Sequence, residues 1–153
     1  MRLLVPNSVL EEMKQRARNP HARCESGGLL LGFRKPDAIQ VTRLTYPSRW
    51  DKATPVLFMR SALGHRMTAL RAWKASGGAV DWVGEWHTHP FASSNPSSVD
   101  LRSWRKLAKH SRRPMAFIIA GGSDLFAGVQ SPNRANITCL TSLELDESYE
   151  LFA

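Results

Sequence analysis

The stretch AVDWVGEWHTHP, residues 79–90, decides the fold, because an apolar run ends there in a His-x-His-Pro motif. Such a run is typical of a strand buried within a sheet. Successive side chains of a strand point to opposite faces, so His87 and His89 project from the same side. Proline has no N–H to donate to a sheet ladder, so we predict that the strand ends at Pro90. The stretch therefore predicts two imidazoles side by side at the end of a central strand.

A carboxylate follows these imidazoles at a spacing that suits a third metal ligand. Apolar periodicity predicts a helix over residues 98–110, which Ser97, or the serine that follows it, would cap. Asp100 would then lie in the first turn. Zn²⁺ accepts imidazole nitrogen and carboxylate oxygen, and three protein ligands leave the open position that is typical of a catalytic zinc. We therefore predict one Zn²⁺, held by His87, His89 and Asp100.

The remaining apolar patterns predict a sheet flanked by helices. Residues 24–33, CESGGLLLGF, indicate a strand buried on both faces, with Glu25 at its mouth and paired glycines where backbone packs closely. We predict further helices from residue 7 or 8 to about 18 and over 61–75, and further strands at 3–5, 39–46, 56–58, 115–120, 125–130 and 135–143. The fold class is α+β, with a largely antiparallel or mixed β-sheet. We expect one domain over residues 1–153, in which the acidic tail, 144–153, frays.

Single residues elsewhere carry weaker expectations. The helix over 61–75 has apolar residues at helical spacing: Leu63, Met67, Leu70 and Trp73. Cys24 and Cys139 have no pair spacing and are expected to be buried small hydrophobes. His21, His65 and His110 stand alone and are expected on the surface.

Composition narrows the classes of function. The chain of 153 residues is 42% hydrophobic and 22% charged, as globular domains are. No run approaches the roughly 20 apolar residues of a membrane span, so we expect a cytoplasmic protein with no membrane partner. The net charge is +8, but the basic residues are scattered and no nucleic-acid motif accompanies them. We therefore expect no nucleic-acid partner, and a basic surface that would suit an acidic protein.

Three linked segments resemble the JAMM/MPN (JAB) metalloprotease family: ExGGxLxG at residues 25–32, HxHP at 87–90 and SxxD at 97–100. The resemblance covers nearly the whole chain in the right order of elements. It implies an MPN/JAB fold with a cytidine-deaminase-like core and a zinc isopeptidase, a deubiquitinase-like enzyme that cuts after the C-terminal residue of a ubiquitin-like protein. By position it makes His87, His89 and Asp100 the zinc ligands. It also makes Glu25 the general base and Ser97 the residue that steadies the tetrahedral intermediate.

The residues around the motif indicate which members of the family the chain resembles most. Many members of the family carry an aromatic residue at position 85, where this chain has Glu85, and the segments that form insertions in larger members are short here. The GEWHTHP wording is similar to that of compact bacterial JAB proteins, some of which occur in antiphage, CBASS-like operons. This similarity implies a role in antiviral defence. The expected partner is a ubiquitin-like protein, or a conjugated protein such as a cGAS-like nucleotidyltransferase.

The residues leave alternatives open. Glu85 lies two positions before His87 and would face the same way, as a hydrogen-bonding partner of His87 or as a rival base to Glu25. Ser97 would also be explained as a simple helix cap. A zinc peptidase that trims a C-terminal tail or a small peptide would need the same metal site. A scaffold that binds partners through the same fold would not need a metal.

Overall fold

A computed structural model of the protein describes residues 1–19, 21, 23–49, 51–55, 57–144 and 146–153. The helices of these residues are α1 (Asn7–Arg18), α2 (Ala62–Ala75) and α3 (Ser98–Ser111). The strands are β1 (Arg2–Pro6), β2 (Gly27–Arg34), β3 (Ala38–Leu44), β4 (Lys52–Thr54), β5 (Leu57–Met59), β6 (Asp81–Thr88), β7 (Met115–Ala120), β8 (Leu125–Gln130), β9 (Thr138–Cys139), β10 (Ser142–Glu144) and β11 (Tyr149–Phe152). The three predicted helices are therefore present, and β7 and β8 have the predicted bounds.

Nine of the described strands form one sheet, in the order β10-β11-β1-β3-β2-β6-β7-β8-β9. Neighbouring strands are antiparallel except for the parallel pairs β1/β3 and β6/β7. Strands β4 and β5 pair with each other in a separate antiparallel hairpin. This topology confirms the predicted α+β class with a mixed, largely antiparallel sheet.

The middle of the sheet is formed by β2 and β6, and their register sets up the site. Gly27 pairs with His87 across the two strands, so Glu25 leaves β2 beside the end of β6. A Cβ at Gly28 would collide with the Thr45 carbonyl oxygen, and one at Gly84 with the Ala116 carbonyl oxygen. The glycines thus allow the close approach of backbones that the sequence predicts.

Three apolar clusters cover the two faces of the sheet: one lies under α1, and the other two lie on the opposite face, under α3 and α2. On one face, α1 packs through Leu10 and Met13 against residues such as Leu30 and Ile118. On the other face, Trp104 of α3 stacks on Phe117, with ring centroids 4.6 Å apart. Such stacked aromatic pairs stabilise a packed helix beyond the area they bury. The second core holds α3, and with it the start of that helix, against the sheet next to β6.

The apolar stripe of α2 does not face the core. Leu63, Met67, Leu70 and Trp73 are 65, 46, 41 and 47% exposed. The helix packs instead through Ala72 and through His65, which is buried rather than on the surface as predicted. Hydrophobic periodicity does not identify the packed face here, because the inward side carries a histidine whose polar atoms are paired with Thr45 and Asp51. An apolar stripe is consequently left in solvent.

The C-terminal tail forms a strand where the sequence predicts fraying. β11 lies between β1 and β10, and its Phe152 is buried opposite Leu3. Residues 135–143 form no single strand, because β9 pairs with β8 whereas β10 pairs with β11. The order of the tail arises from the long-range pairing of β11 with the N-terminal strand β1, which the local pattern does not contain.

Smaller expectations have mixed outcomes. Cys24 and Cys139 are free and exposed, so the prediction of buried cysteines is wrong. Val56, the first residue of the predicted strand 56–58, lies outside the described residues, and β5 begins after it. No helix of the described chain is long and apolar enough to cross a membrane.

Candidate metal centre and cleft

The end of β6 places the two imidazoles together, as predicted. Beyond β6, the His89 N–H donates to the carbonyl oxygen of Ala120 over 2.9 Å and so continues the pairing with β7. His87 Nε2 and His89 Nε2 are 3.1 Å apart, and His87 is buried. The two nitrogens therefore point at a common position just beyond the strand.

The start of α3 brings in the carboxylate. Asp100 Oδ1 is 3.4 Å from His87 Nε2, and Asp100 Oδ2 is 3.8 Å from His89 Nε2. One ligand atom from each of the three residues lies within 4.8 Å of the others. Zinc bonds of about 2.0–2.1 Å in a tetrahedron separate ligand atoms by about 3.4 Å. The two nitrogens and the carboxylate are therefore chemically and spatially suited to a zinc ion.

Ser97 is the N-cap of α3 and also lies at the metal centre. Its Oγ accepts the Asp100 N–H over 3.2 Å and donates to Asp100 Oδ2 over 2.6 Å, while Asp100 Oδ2 accepts the Ser97 N–H over 2.7 Å. This reciprocal capping box satisfies the first turn of the helix and orients the carboxylate. The capping interpretation is thus confirmed, whereas a role of Ser97 in catalysis stays a prediction.

Glu25 lies on the opposite side of the same centre. Its Oε1 is 3.7 Å from His89 Nε2, and the residue is 8% exposed. Burial and, secondarily, the charge of Asp100 raise the pKa of Glu25 to about 7, although the Phe58 N–H donates to the carboxylate and opposes the rise. A bound cation would favour the carboxylate and lower this pKa. Such a group is suited to taking up and releasing a proton near neutral pH.

The pKa of His87 is shifted in the opposite direction, below its ordinary value. Burial lowers its pKa to about 4, the charge of His89 adds to the lowering, and the carboxylate of Asp100 opposes it. The imidazole is therefore neutral well above that pH, which is the form that binds a metal. Protonation of His87 would compete with a metal only in strongly acidic solution.

Glu85 forms a salt bridge with Arg60. Its Oε1 accepts from Arg60 Nε over 3.1 Å and from Arg60 Nη2 over 2.5 Å, and the guanidinium also lies 5.5 Å above the ring of Trp82. Glu85 faces the same cleft as His87, as strand alternation predicts. Among the residues that the structure describes, the hydrogen-bond partner of Glu85 is Arg60 and not His87.

A cleft joins these groups. Its volume is about 270 Å³, and it is lined by Glu25, His87, Ser97, Asp100, Arg60 and Glu85, together with the apolar side chains of Leu57, Phe58, Val99, Trp104 and Leu107. The lining thus combines charged and polar groups with apolar side chains. An extended polypeptide segment would fit such a groove, with one peptide bond next to the metal ligands.

The predicted site lacks one residue that the structure adds, Asp124. Its Oδ1 accepts the Ser94 N–H over 3.0 Å, and its Oδ2 accepts the Ser93 hydroxyl over 3.2 Å. The carbonyl oxygen of Ser93 is 2.9 Å from His89 Nδ1. His89 Nδ1 therefore donates, which leaves Nε2 free to face the metal. The sequence shows Asp124 only as part of a turn after two glycines, which gives no sign of this role.

We expect Asp124→Asn to weaken zinc binding by about 10-fold, the lower end of the range for losing an outer partner of a ligating histidine, because the Ser93 carbonyl that bonds His89 remains and only its loop is loosened. The asparagine side chain keeps the shape of aspartate. Its NH₂ group, however, would face either the Ser94 N–H or the Ser93 hydroxyl, both of which donate to Asp124. Isothermal titration of the metal-free protein with zinc would measure the change. Ser123→Ala, next to Asp124 in the same turn, is the control. Equal affinity in Asp124→Asn and wild type would contradict the role.

An α+β sheet with two imidazoles, an aspartate and a buried glutamate around one cleft defines a metal-dependent hydrolase. A family model described as prokaryotic homologs of the JAB domain matches residues 6–136, and the chain belongs to this family. The match spans α1 to the loop after β8 and includes the metal centre and Glu25.

Known proteins agree with this assignment. The chain is 38% identical over 121 residues to a CD-NTase/cGAS isopeptidase of Pseudomonas aeruginosa, which covers 78% of this chain and 77% of that protein. It is 31% identical over 124 residues to a CD-NTase/cGAS isopeptidase of Vibrio cholerae, with 81% and 78% covered. The solution structure of protein DSY2949 from Desulfitobacterium hafniense has the same fold, with a TM-score of 0.64 at 23% identity over 88% of this chain and 87% of that one.

Proposed function

We propose that this protein is a zinc isopeptidase that releases a protein conjugated through its C-terminus to a lysine side chain, in a bacterial deconjugation pathway of antiviral defence. The observation that carries the proposal is the convergence of His87, His89 and Asp100 opposite the buried carboxylate of Glu25. Relatives named CD-NTase/cGAS isopeptidase support a cGAS-like nucleotidyltransferase as the conjugated protein. The free, exposed cysteines agree with a cytoplasmic location, where disulfides are rare.

Each site residue has a role in this chemistry. Held by His87, His89 and Asp100, zinc would supply a Lewis acid that lowers the pKa of water to about 7 and polarises the scissile carbonyl. Glu25 takes a proton from the water as its oxygen bonds to the scissile carbon, and passes that proton to the lysine nitrogen as the C–N bond breaks, so the amine leaves in its neutral form. The Ser97 hydroxyl turns from Asp100 to donate to the developing oxyanion, and such a donor contributes about 2.7–4 kcal/mol in an ideal geometry.

The exposed stripe of α2 offers a surface for the folded part of the substrate. Leu70 and Trp73 line an open groove of about 750 Å³ that also touches Arg60. Arg60 lines the catalytic cleft as well, so the groove and the cleft share a wall. A substrate whose C-terminal tail enters the cleft would therefore bring its folded body onto α2.

We expect Leu70→Ser to raise KM about 5–30-fold with little change in kcat, because the contact loses about 1–2 kcal/mol of apolar burial. Steady-state kinetics on a protein conjugate would separate the two constants. Leu143→Ser is the matched control, since Leu143 is similarly exposed but lies on β10 at the far edge of the sheet. An equal rise in KM for both variants would argue against docking on α2.

Product analysis tests the reaction itself. The substrate is a nucleotidyltransferase of the cGAS-like class joined through its C-terminal carboxyl group to a lysine of an acceptor protein. Mass spectrometry should find an intact C-terminus and an unmodified lysine, and chelation should stop the reaction. Release of a shortened nucleotidyltransferase tail, with no free lysine, would indicate a trimming peptidase instead.

A further inference from the structure

A buried hydrogen-bond network of Thr45, His65 and Asp51 lies behind the cleft, and the proposed reaction does not use it. Thr45 Oγ1 accepts the Leu29 N–H over 2.7 Å and lies 2.5 Å from His65 Nδ1, to which its hydroxyl donates in the histidine tautomer that carries the ring proton on Nε2. His65 Nε2 in turn donates to Asp51 Oδ2 over 2.9 Å. The side chains of His65 and Asp51 are 0 and 3% exposed. The order of groups is that of a nucleophilic triad, but no substrate could reach the buried hydroxyl.

Asp51 ties both ends of a chain segment to this network. Its carboxylate accepts the Ser48 N–H and the Ser61 N–H, each over 2.7 Å, in addition to His65. Burial would raise the pKa of Asp51, but these hydrogen bonds outweigh it and hold the pKa below its usual value. A charged carboxylate with several donors is a strong anchor. Residues 48 and 61 are thus held together, and the β4–β5 hairpin lies between them.

This hairpin holds Glu25. The Glu25 N–H donates to the Thr54 carbonyl oxygen of β4 over 2.9 Å, and the Phe58 N–H of β5 donates to the Glu25 carboxylate. Phe58 also lies close over β2, where a Cβ at Gly27 would be 2.9 Å from Phe58 Cδ1. The backbone and the carboxylate of Glu25 are therefore both positioned by the hairpin.

The other end of the network reaches β6, the strand that carries His87. The Thr45 carbonyl oxygen accepts from Trp86 Nε1 over 3.1 Å, and Trp86 precedes His87 in β6. One continuous set of buried bonds thus joins β6, β3, the first turns of α2 and the base of the hairpin. Fully satisfied networks of this kind keep the elements they join in a single arrangement.

We propose that the Thr45–His65–Asp51 network is a positioning device for Glu25: it fixes the base of the β4–β5 hairpin and thereby holds the carboxylate at the cleft. The inference rests on the proposed function in that Glu25 acts as its general base. His65 and Asp51 act through the hairpin and belong to neither the metal centre nor the cleft lining. The same network ties α2, with its exposed apolar stripe, to the catalytic side of the sheet.

Amide hydrogen exchange tests this positioning without any substrate. In His65→Leu, the N–H groups of Glu25 and Phe58 should exchange about ten-fold faster or more, because the hairpin opens locally. The matched control is Gln130→Leu, which removes a buried side chain at the end of β8 that donates to two backbone carbonyls in the loop after it, separated from β3 by three strands of the sheet. Unchanged exchange at Glu25 and Phe58 in His65→Leu, or equal acceleration in both variants, would overturn the proposal.

Steady-state kinetics on the protein conjugate provide a second test of the positioning proposal. His65→Leu should lower kcat about 10–10²-fold, the scale of a misplaced catalytic group, with KM and zinc content unchanged. His65→Gln places an N–H near the position of Nε2 and should restore most of kcat. Asp51→Asn should repeat the loss if His65→Leu does not fold. A wild-type protein that cleaves no conjugate would refute the proposed function alone, since the exchange experiment still decides the positioning. An equal loss of kcat in Gln130→Leu would overturn the positioning proposal, because the loss would then not depend on this network.

Discussion

Glu25→Gln should lower the rate of isopeptide cleavage by about 10²–10⁴-fold while zinc stays bound. Glutamine keeps the shape of the side chain and an oxygen that can accept the Phe58 N–H. It cannot take up a proton, so the attacking water and the departing amine both lose their proton carrier. Glu25 Oε1 lies 3.7 Å from His89 Nε2, next to the metal ligands but outside the three-residue group. Metal content by mass spectrometry and single-turnover cleavage measure the two halves of the prediction.

Glu85→Gln is the matched control for the base. Glu85 faces the same cleft, but its Oε1 is bonded to Arg60. We expect this variant to keep activity within a few-fold of wild type. Retained activity in Glu25→Gln, with loss in Glu85→Gln, would move the base to Glu85 and show that the assignment of Glu25 is wrong.

His89→Ala should abolish both zinc binding and cleavage. The change removes one of the three donors that converge on the metal position and leaves only His87 and Asp100. We expect affinity to fall by more than the roughly 10–100-fold that follows loss of an outer partner. His89 lies beyond the end of β6, outside the apolar cores, so the fold should survive. Zinc titration and circular dichroism would separate loss of metal from loss of structure.

His21→Ala is the control for histidine loss, because His21 is exposed and lines neither the cleft nor the groove along α2. It should bind zinc with wild-type affinity and should cleave at the wild-type rate. If His89→Ala bound zinc as tightly as wild type, the metal would lie elsewhere. If it lost zinc but kept activity, the reaction would not depend on this centre.

Much of the site follows from local patterns. Strand alternation and the proline that follows place His87 and His89 on one side, and the helix start at Ser97 brings Asp100 round to them, as the structure shows. The same rules predict β2, β6 and α3. Glu25 is different: its distance in sequence from the histidines is long, and the resemblance to a known family suggested it. Only the antiparallel register of β2 and β6 brings it within reach.

Local patterns fail where a residue's environment depends on distant partners. The apolar periodicity of α2 is real, yet the helix packs through His65, because Thr45 and Asp51 satisfy that imidazole. The C-terminal residues look frayed in isolation, yet β1 offers them a free edge. Asp124 looks like a turn residue, yet it holds the loop that orients His89.

By itself, the sequence determined the chemistry of this protein: two imidazoles, an aspartate and their spacing on a strand and a helix start. These are short-range features, set by the period of each element and by its stop signal. Tertiary structure alone decided how Glu25 reaches the metal side, what anchors its hairpin and which face of α2 meets solvent. Those outcomes depend on strand order, register and the pairing of buried polar groups, and such pairings join residues that are far apart in the chain.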